Sequence, residues 1–237
     1  MPNWCDNSAY FRNDDVTKID TLQKVLEDKE NQQVFQHLRP NPSGEWEYDW
    51  SVNNWGTKWE MGIIDWERQE DNCIWIAFES AWSPPTSLYE YLDGQGWDVE
   101  AYYHEPGMGY AGQFIEGHDD CYEYSLSDKD SIDSLPSDVI DFAGLENAHE
   151  DYIDNITTDV LWGLPRTEMI DGKIKPEKIG RYIIKTKDRD YDQFATWDGK
   201  SWGEYWDGKK IKPTQWCGLM QELTEEELDT LVKEQIE

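Results

Sequence analysis

The chain has 237 residues, 51 of them Asp or Glu against 21 Lys or Arg, for a formal net charge of -30 at pH 7. Such a field repels nucleic acid and anionic membrane surfaces and favours basic partners. The 14 Trp, 13 Tyr and 6 Phe exclude a disordered acidic tail, because that much aromatic area calls for a packed core.

Asn3–Phe11 reads as a first strand. Asp14 or Asp15 then caps a helix in which Ile19, Leu22, Val25 and Leu26 recur at the helical period. Val34, Phe35 and Leu38 continue or restart it before Pro40 and Pro42 end it. The tract from Trp46 to Trp59 is rich in Asn and Trp and reads as an ordered loop delivering a strand near Trp59–Trp66. Cys73–Phe78 is apolar on both faces, as a central strand with cover on each side would be. Pro84 and Pro85 open a short helix, Thr86–Leu92, with Leu88, Tyr91 and Leu92 inward. Val99–Tyr103, Tyr110–Ile115 and Tyr122–Leu126 follow as strands joined by Gly-rich or Asp-rich turns. This β-α-β-β-α-β order, extended by further strands, predicts an α+β fold with a ferredoxin-like antiparallel sheet against helices.

Ser131–Ser137 is turn-prone and marks a boundary, after which Leu145–Trp162 carries helical spacing. Arg181–Thr186, Gln193–Trp197, Trp202–Trp206 and Gln215–Leu219 read as short strands, three Asp-Gly-Lys triplets begin at 171, 198 and 207, and Thr224 with Glu227 forms a capping box. The organisation expected is a ferredoxin-like domain over 1–130, an acidic helical connector over 131–164, and a small β-rich module with a closing helix over 165–237.

Charge is uneven along the chain. Residues 98–161 hold 17 acids and a single base, Lys129. Four scattered cysteines, Cys5, Cys73, Cys121 and Cys217, have neither zinc-knuckle nor redox spacing and read as buried thiols in a reducing cytosol. No leader pattern and no run of 18 apolar residues is present, so a soluble cytoplasmic protein is expected.

Four ordered blocks carry a resemblance: Met1-Pro-Asn-Trp-Cys-Asp-Asn7, Asn54-Trp-Gly-Thr-Lys-Trp59, Phe78-Glu-Ser-Ala-Trp-Ser-Pro-Pro85 and Tyr103-His-Glu-Pro-Gly-Met-Gly-Tyr-Ala-Gly112. Together they resemble the Api92-like (YubB ferredoxin-like) proteins of phages, plasmids and genomic islands. The matching positions are Trp4, Asn7, Trp55, Gly56, Lys58, Trp59, Trp82, Pro84, Glu105, Pro106 and Gly107. Ser8–Asn13 departs from the pattern by being more polar. The resemblance implies a ferredoxin-like N-terminal domain in a mobile-element accessory protein, located in the host cytoplasm if phage-encoded, and supplies no reaction.

Two side-chain groups invite chemistry. Trp55, Lys58, Trp59 and Glu105 form a possible ligand groove, a lysine framed by indoles that holds an anionic group; the plainer reading has Lys58 snorkelling to solvent or paired with Glu105 while the tryptophans fill core under a long loop. His104, Glu105, His118, Asp119 and Asp120 would serve as metal ligands if His104 and His118 faced each other across a hairpin, but their spacing matches no metal motif and no metal or other cofactor is expected. No nucleophile elbow, phosphate loop or zincin helix occurs, so no catalytic residue is assigned. A basic cluster, Lys173, Lys175, Lys178, Arg181, Lys185, Lys187 and Arg189, is modest against the whole, and direct nucleic-acid binding is disfavoured.

The charge map carries the functional expectation. Glu116, Asp119, Asp120, Glu123, Asp128, Asp130, Asp133, Asp138, Asp141, Glu146, Glu150, Asp151 and Asp154 would imitate a phosphate backbone to a basic host protein, such as a nuclease or other nucleic-acid-binding defence factor. That makes the chain a non-enzymatic accessory protein that inhibits by mimicry. The alternatives are an inert acidic accessory protein, and a small-ligand-binding or metal-dependent enzyme using the 55–59 and 104–120 regions.

Overall fold

The structure, a computed structural model, describes residues 3–189, 191–205, 207–219 and 223–236. Met1 and Pro2 of the first sequence block, and Trp206 at the end of an expected strand, lie outside the described residues. The chain divides into two units, Met1–Tyr152 and Ile153–Glu237.

In the first unit β1 (Trp4–Arg12) alternates buried and accessible residues, so Cys5, Asn7, Ala9 and Phe11 point to one side. Asp15 caps α1 (Val16–Glu27) by accepting the Thr17 N–H at 3.1 Å, and Ile19, Leu22 and Leu26 turn inward. A short α2 (Val34–Leu38) follows. Residues 48–55, expected as loop, form helix α3 (Tyr48–Trp55). Gly56 ends it in the left-handed region, φ 90°, with its N–H bonded to the Val52 carbonyl.

β2 (Gly62–Glu70), β3 (Cys73–Ala81), α4 (Thr86–Asp93) and β4 (Asp98–Glu105) complete the β-α-β-β-α-β pattern. β5 (Tyr110–Ile115) and β6 (His118–Glu123) extend it, giving an antiparallel sheet of order β2-β3-β1-β4-β5-β6. Its first four strands have the ferredoxin-like order β4-β1-β3-β2. In α4 the buried residues are Leu88, Tyr89 and Leu92; Tyr91, expected inward, is half-buried. α1 and α4 cover one face, packing Leu22, Leu26, Leu88 and Tyr89 on Phe11, Ile76, Phe78 and Phe114. Fully burying such a side chain contributes about 1.5–3 kcal/mol.

The last strand corrects an expectation. It starts at His118, and Asp119 and Asp120 are paired strand residues opposite Phe114 and Gln113. The turn is Glu116-Gly117, both at positive φ (52° and 76°), which gives the tight hairpin a twist matching its strands.

The stretch expected as turns is one only over residues 134–136, because α5 (Lys129–Asp133) and α6 (Ser137–Ala143) take up its two ends and precede α7 (Leu145–Gly163). Ile132, Leu135, Val139 and Leu145 form a second core with Ala111, joined by Tyr102, Tyr122 and Tyr124. Tyr102 lies on the opposite side of β4 from Ala101, so these helices cover the other face of the sheet.

The second unit is a separate β-rich sheet. Its strands β7 (Ile170–Asp171), β8 (Gly180–Lys185), β9 (Gln193–Trp197), β10 (Trp202–Glu204), β11 (Lys210–Ile211) and β12 (Gln215–Cys217) are ordered β11-β10-β9-β8-β12-β7. Trp197, Trp202 and Trp216 fill its core around Tyr182. The three Asp-Gly-Lys turns share one device: Asp171, Asp198 and Asp207 each accept the N–H two residues on, at 2.8, 2.7 and 2.9 Å. The capping box forms as expected, Thr224 and Glu227 bonding reciprocally at the head of α8 (Glu225–Ile236).

Candidate functional site

Gly56 and the residues around it decide the geometry of the Lys58 corner. A Cβ on Gly56 would sit 3.1 Å from the Ser87 and Thr86 backbone nitrogens, so the loop lies directly on the start of α4. Thr57 donates to the Ala81 carbonyl at 2.8 Å, Ser83 to the Gly56 carbonyl at 2.6 Å, and Arg39 to the Asn54 and Ser87 carbonyls. The loop is therefore tied to 80–87 at several points.

On this frame the Lys58 ammonium lies 4.4 Å from the Trp59 ring centre, 4.7 Å from Trp82 and 6.0 Å from Tyr48. Trp4 adds to the cluster through Trp59, at 6.1 Å, and Trp46 donates its indole N–H to the Lys58 carbonyl at 2.9 Å. Trp82 has φ 72°, a left-handed conformation that costs a bulky residue about 1–2 kcal/mol. Its N–H bonds to the Asn3 carbonyl and its carbonyl accepts from Tyr110, both at 2.9 Å.

Of the four groove residues named from sequence, only Lys58 and Trp59 meet in this way. Trp55 is buried against Phe35 and Trp50 in the core. Glu105 is buried too, accepting the Gly107 and Met108 backbone N–H groups, and no ion pair with Lys58 forms. The sequence reading missed Trp4, Trp46, Tyr48 and Trp82 as its aromatic neighbours. The pairing of Trp4 with Ala81 brings the first and third blocks together, a register no single block discloses.

All thirteen acids of 116–154 are exposed. Glu116 lies in the β5–β6 turn, Asp119, Asp120 and Glu123 on the edge strand β6, and the rest on or beside α5, α6 and α7. Among the described residues only Asp133 and Glu146 have a cationic partner, both reaching Lys129, at 2.6 and 2.7 Å. Asp128 caps α5 through the Asp130 N–H at 3.1 Å. Asp119 accepts from the Tyr103 hydroxyl at 2.8 Å; burial pushes its carboxyl up against that pull. Asp154 belongs to the second unit and the other twelve to the first.

The residues considered for a metal do not converge. β4, β5 and β6 set His104 beside Ala111 and Tyr122, whereas His118 pairs with Ile115. Four strand positions, roughly 13 Å, separate the two imidazoles along the sheet. His104 instead meets the Tyr124 hydroxyl at 2.7 Å, and burial lowers its pKa. Among the described residues no group of three or more His, Cys, Asp or Glu is placed to hold a metal ion.

The cysteines are free, and Cys121 is exposed on β6 where all four were expected buried. Burial drives the Cys5 thiol up to about 12, well away from reactivity. In the basic cluster Arg181 stacks on Tyr205, Lys175 on Trp197, Lys185 meets Asp192 and Arg189 meets Glu204. Those cations are engaged locally. Among the described residues no helix is long and apolar enough to cross a membrane.

No protein-family model and no curated protein matches the chain. A solved structure, a protein api92 from Yersinia pseudotuberculosis, is similar at 22% identity with a TM-score of 0.30, the match covering 40% of this chain and 40% of that one. At that level the likeness carries neither fold nor function. The ferredoxin-like strand order stands on the register of this chain.

Proposed function

We propose that the protein is a non-enzymatic accessory protein of a phage or mobile element, acting in the host cytoplasm by presenting its acidic margin to a basic host protein. The accessory identity rests on the four sequence blocks that resemble the Api92-like proteins. The observation that carries the mechanism is the margin itself: thirteen exposed carboxylates with Lys129 as the one base between residues 98 and 161.

Solvated carboxylates on the edge strand β6 and on α5, α6 and α7 supply what a DNA-binding cleft is built to attract, a dense negative charge. The partner of that chemistry is a nuclease or another nucleic-acid-binding defence factor. Inhibition is by occupancy and needs no turnover or cofactor.

The test is capture from host lysate on immobilised protein, followed by elution with duplex DNA. The expected result is a basic protein released by DNA and by raised salt. Replacing Glu123, Asp130, Asp138, Asp141, Glu150 and Asp151 together by their amides abolishes that capture. Retention of the same protein by the sixfold variant, or elution that ignores DNA, overturns the reading.

A further inference from the structure

We propose that the Lys58 corner is a binding site for a small planar aromatic anion, its ring laid on an exposed indole and its anionic group on the Lys58 ammonium. The inference is independent of the acidic margin.

The first support is the state of the cation. Lys58 lies against the rings of Trp59 and Trp82, yet in a chain with 51 acids no carboxylate comes within 4.0 Å of it among the described residues. Aromatic faces hold the ammonium in place without neutralising it. The counter-charge named from sequence, Glu105, is engaged in its own backbone turn.

The second is the surface around it. Trp4, Trp46, Tyr48 and Trp82 are 41%, 54%, 44% and 44% exposed, and ring and hydrogen-bond contacts join each of them to Lys58 or to Trp59. Contiguous exposed aromatics of this kind mark binding surfaces. The third is rigidity. Trp82 is held in a left-handed conformation by Asn3 and Tyr110, and the 56–59 loop is tied to 80–87, so the platform is assembled before any ligand arrives.

Charge selects the occupant. The preference of the indole faces for a cation is already met by Lys58, and a second cation would be repelled by it. The ammonium therefore calls for an anion, and the flat rings for a flat partner. A polyanionic strand would meet the field of a -30 chain with one available charge to offset it, so a small anion is favoured over nucleic acid.

The probes are adenosine monophosphate and 2-naphthoate, each titrated into the full chain with indole N–H NMR signals as readout, beside uncharged adenosine and 2-naphthol. At least one anion is expected to saturate a subset of indole signals, with its neutral counterpart weaker by roughly tenfold or more. Lys58→Met lowers the affinity by a similar factor, Lys58→Arg restores most of it, and Trp82→Leu weakens binding with Lys58 intact. Circular dichroism confirms that each variant is folded. Saturation by neither anion up to the millimolar range, equal binding of the neutral compounds, or unchanged affinity in folded Lys58→Met overturns the proposal. So does a single-stranded oligonucleotide that binds more tightly than the monophosphate.

Discussion

The Lys58 corner and twelve of the thirteen margin acids belong to the same unit and are built on opposite principles. At the corner, position is set by close backbone approach, with Gly56 seated on the first turn of α4 and Thr57, Ser83 and Arg39 bonding across segments far apart in sequence. On the margin the carboxylates other than Asp119 stand in solvent, and among the described residues only Asp133 and Glu146 meet a cation. The first arrangement makes single residues indispensable, whereas the second spreads its effect over many and makes each dispensable.

The strongest test of that contrast is Gly56→Ala. The alanine must hold φ near 90° and place its Cβ 3.1–3.2 Å from three backbone atoms of 84–87. Strain and crowding together are expected to cost about 3 kcal/mol, read as a lower urea midpoint with an unchanged slope. A loss below about 0.5 kcal/mol, the usual scale of surface changes, would show that the corner yields easily and would break the comparison.

Glu60 sharpens it through pH. Its carboxylate accepts the Phe35, Gln36 and Met61 backbone N–H groups at 2.6, 3.1 and 3.1 Å, yet burial pushes its pKa from 4.5 up to about 7. Between those two values the folded state holds more proton than the unfolded one. Stability from this group is therefore present in full below pH 4.5, falls as pH rises, and levels off above about pH 7, a loss of at most about 3 kcal/mol. The decisive quantity is the difference between the wild-type protein and Glu60→Gln. The variant is expected to have the shallower stability profile from pH 4.5 to 7, and parallel profiles would remove Glu60 as the cause.

Legibility in the sequence followed the same division. Strands and helices with clean periods stood out: β1, α1, β3, α4 and α7 fall where the apolar spacing put them. α3 did not, because Asn53, Asn54 and Gly56 weigh toward a turn, and only the structure reveals Gly56 as the stop of a helix. β6 was hidden because His118-Asp-Asp carries residues depleted in strands, tolerated here on a sheet edge where charge also discourages pairing with other chains. α5 and α6 were hidden by their brevity and polar outer sides. At the corner, Lys58 and Trp59 were readable from their spacing, but Trp4 and Trp82 arrive through strand register, which no local pattern encodes.

Asp128 and Asp138 supply the smallest and most discriminating prediction, because both are exposed acids of the margin and only Asp128 has a backbone task. Asp128→Ala removes the cap of α5 and is expected to cost about 1 kcal/mol, while Asp128→Asn keeps an accepting oxygen for the Asp130 N–H and stays within a few tenths. Asp138→Asn, or Glu123→Gln, should change stability by less than about 0.5 kcal/mol in either direction, read by the same urea melts. If Asp128→Asn were as damaging as Asp128→Ala, the negative charge at the helix start would be what holds α5, and the margin would contain an individually indispensable carboxylate. Equality between Asp128→Asn and Asp138→Asn instead leaves the margin as a collective feature, in which single neutralisations are silent and only the sixfold amide variant removes the field a basic partner would meet.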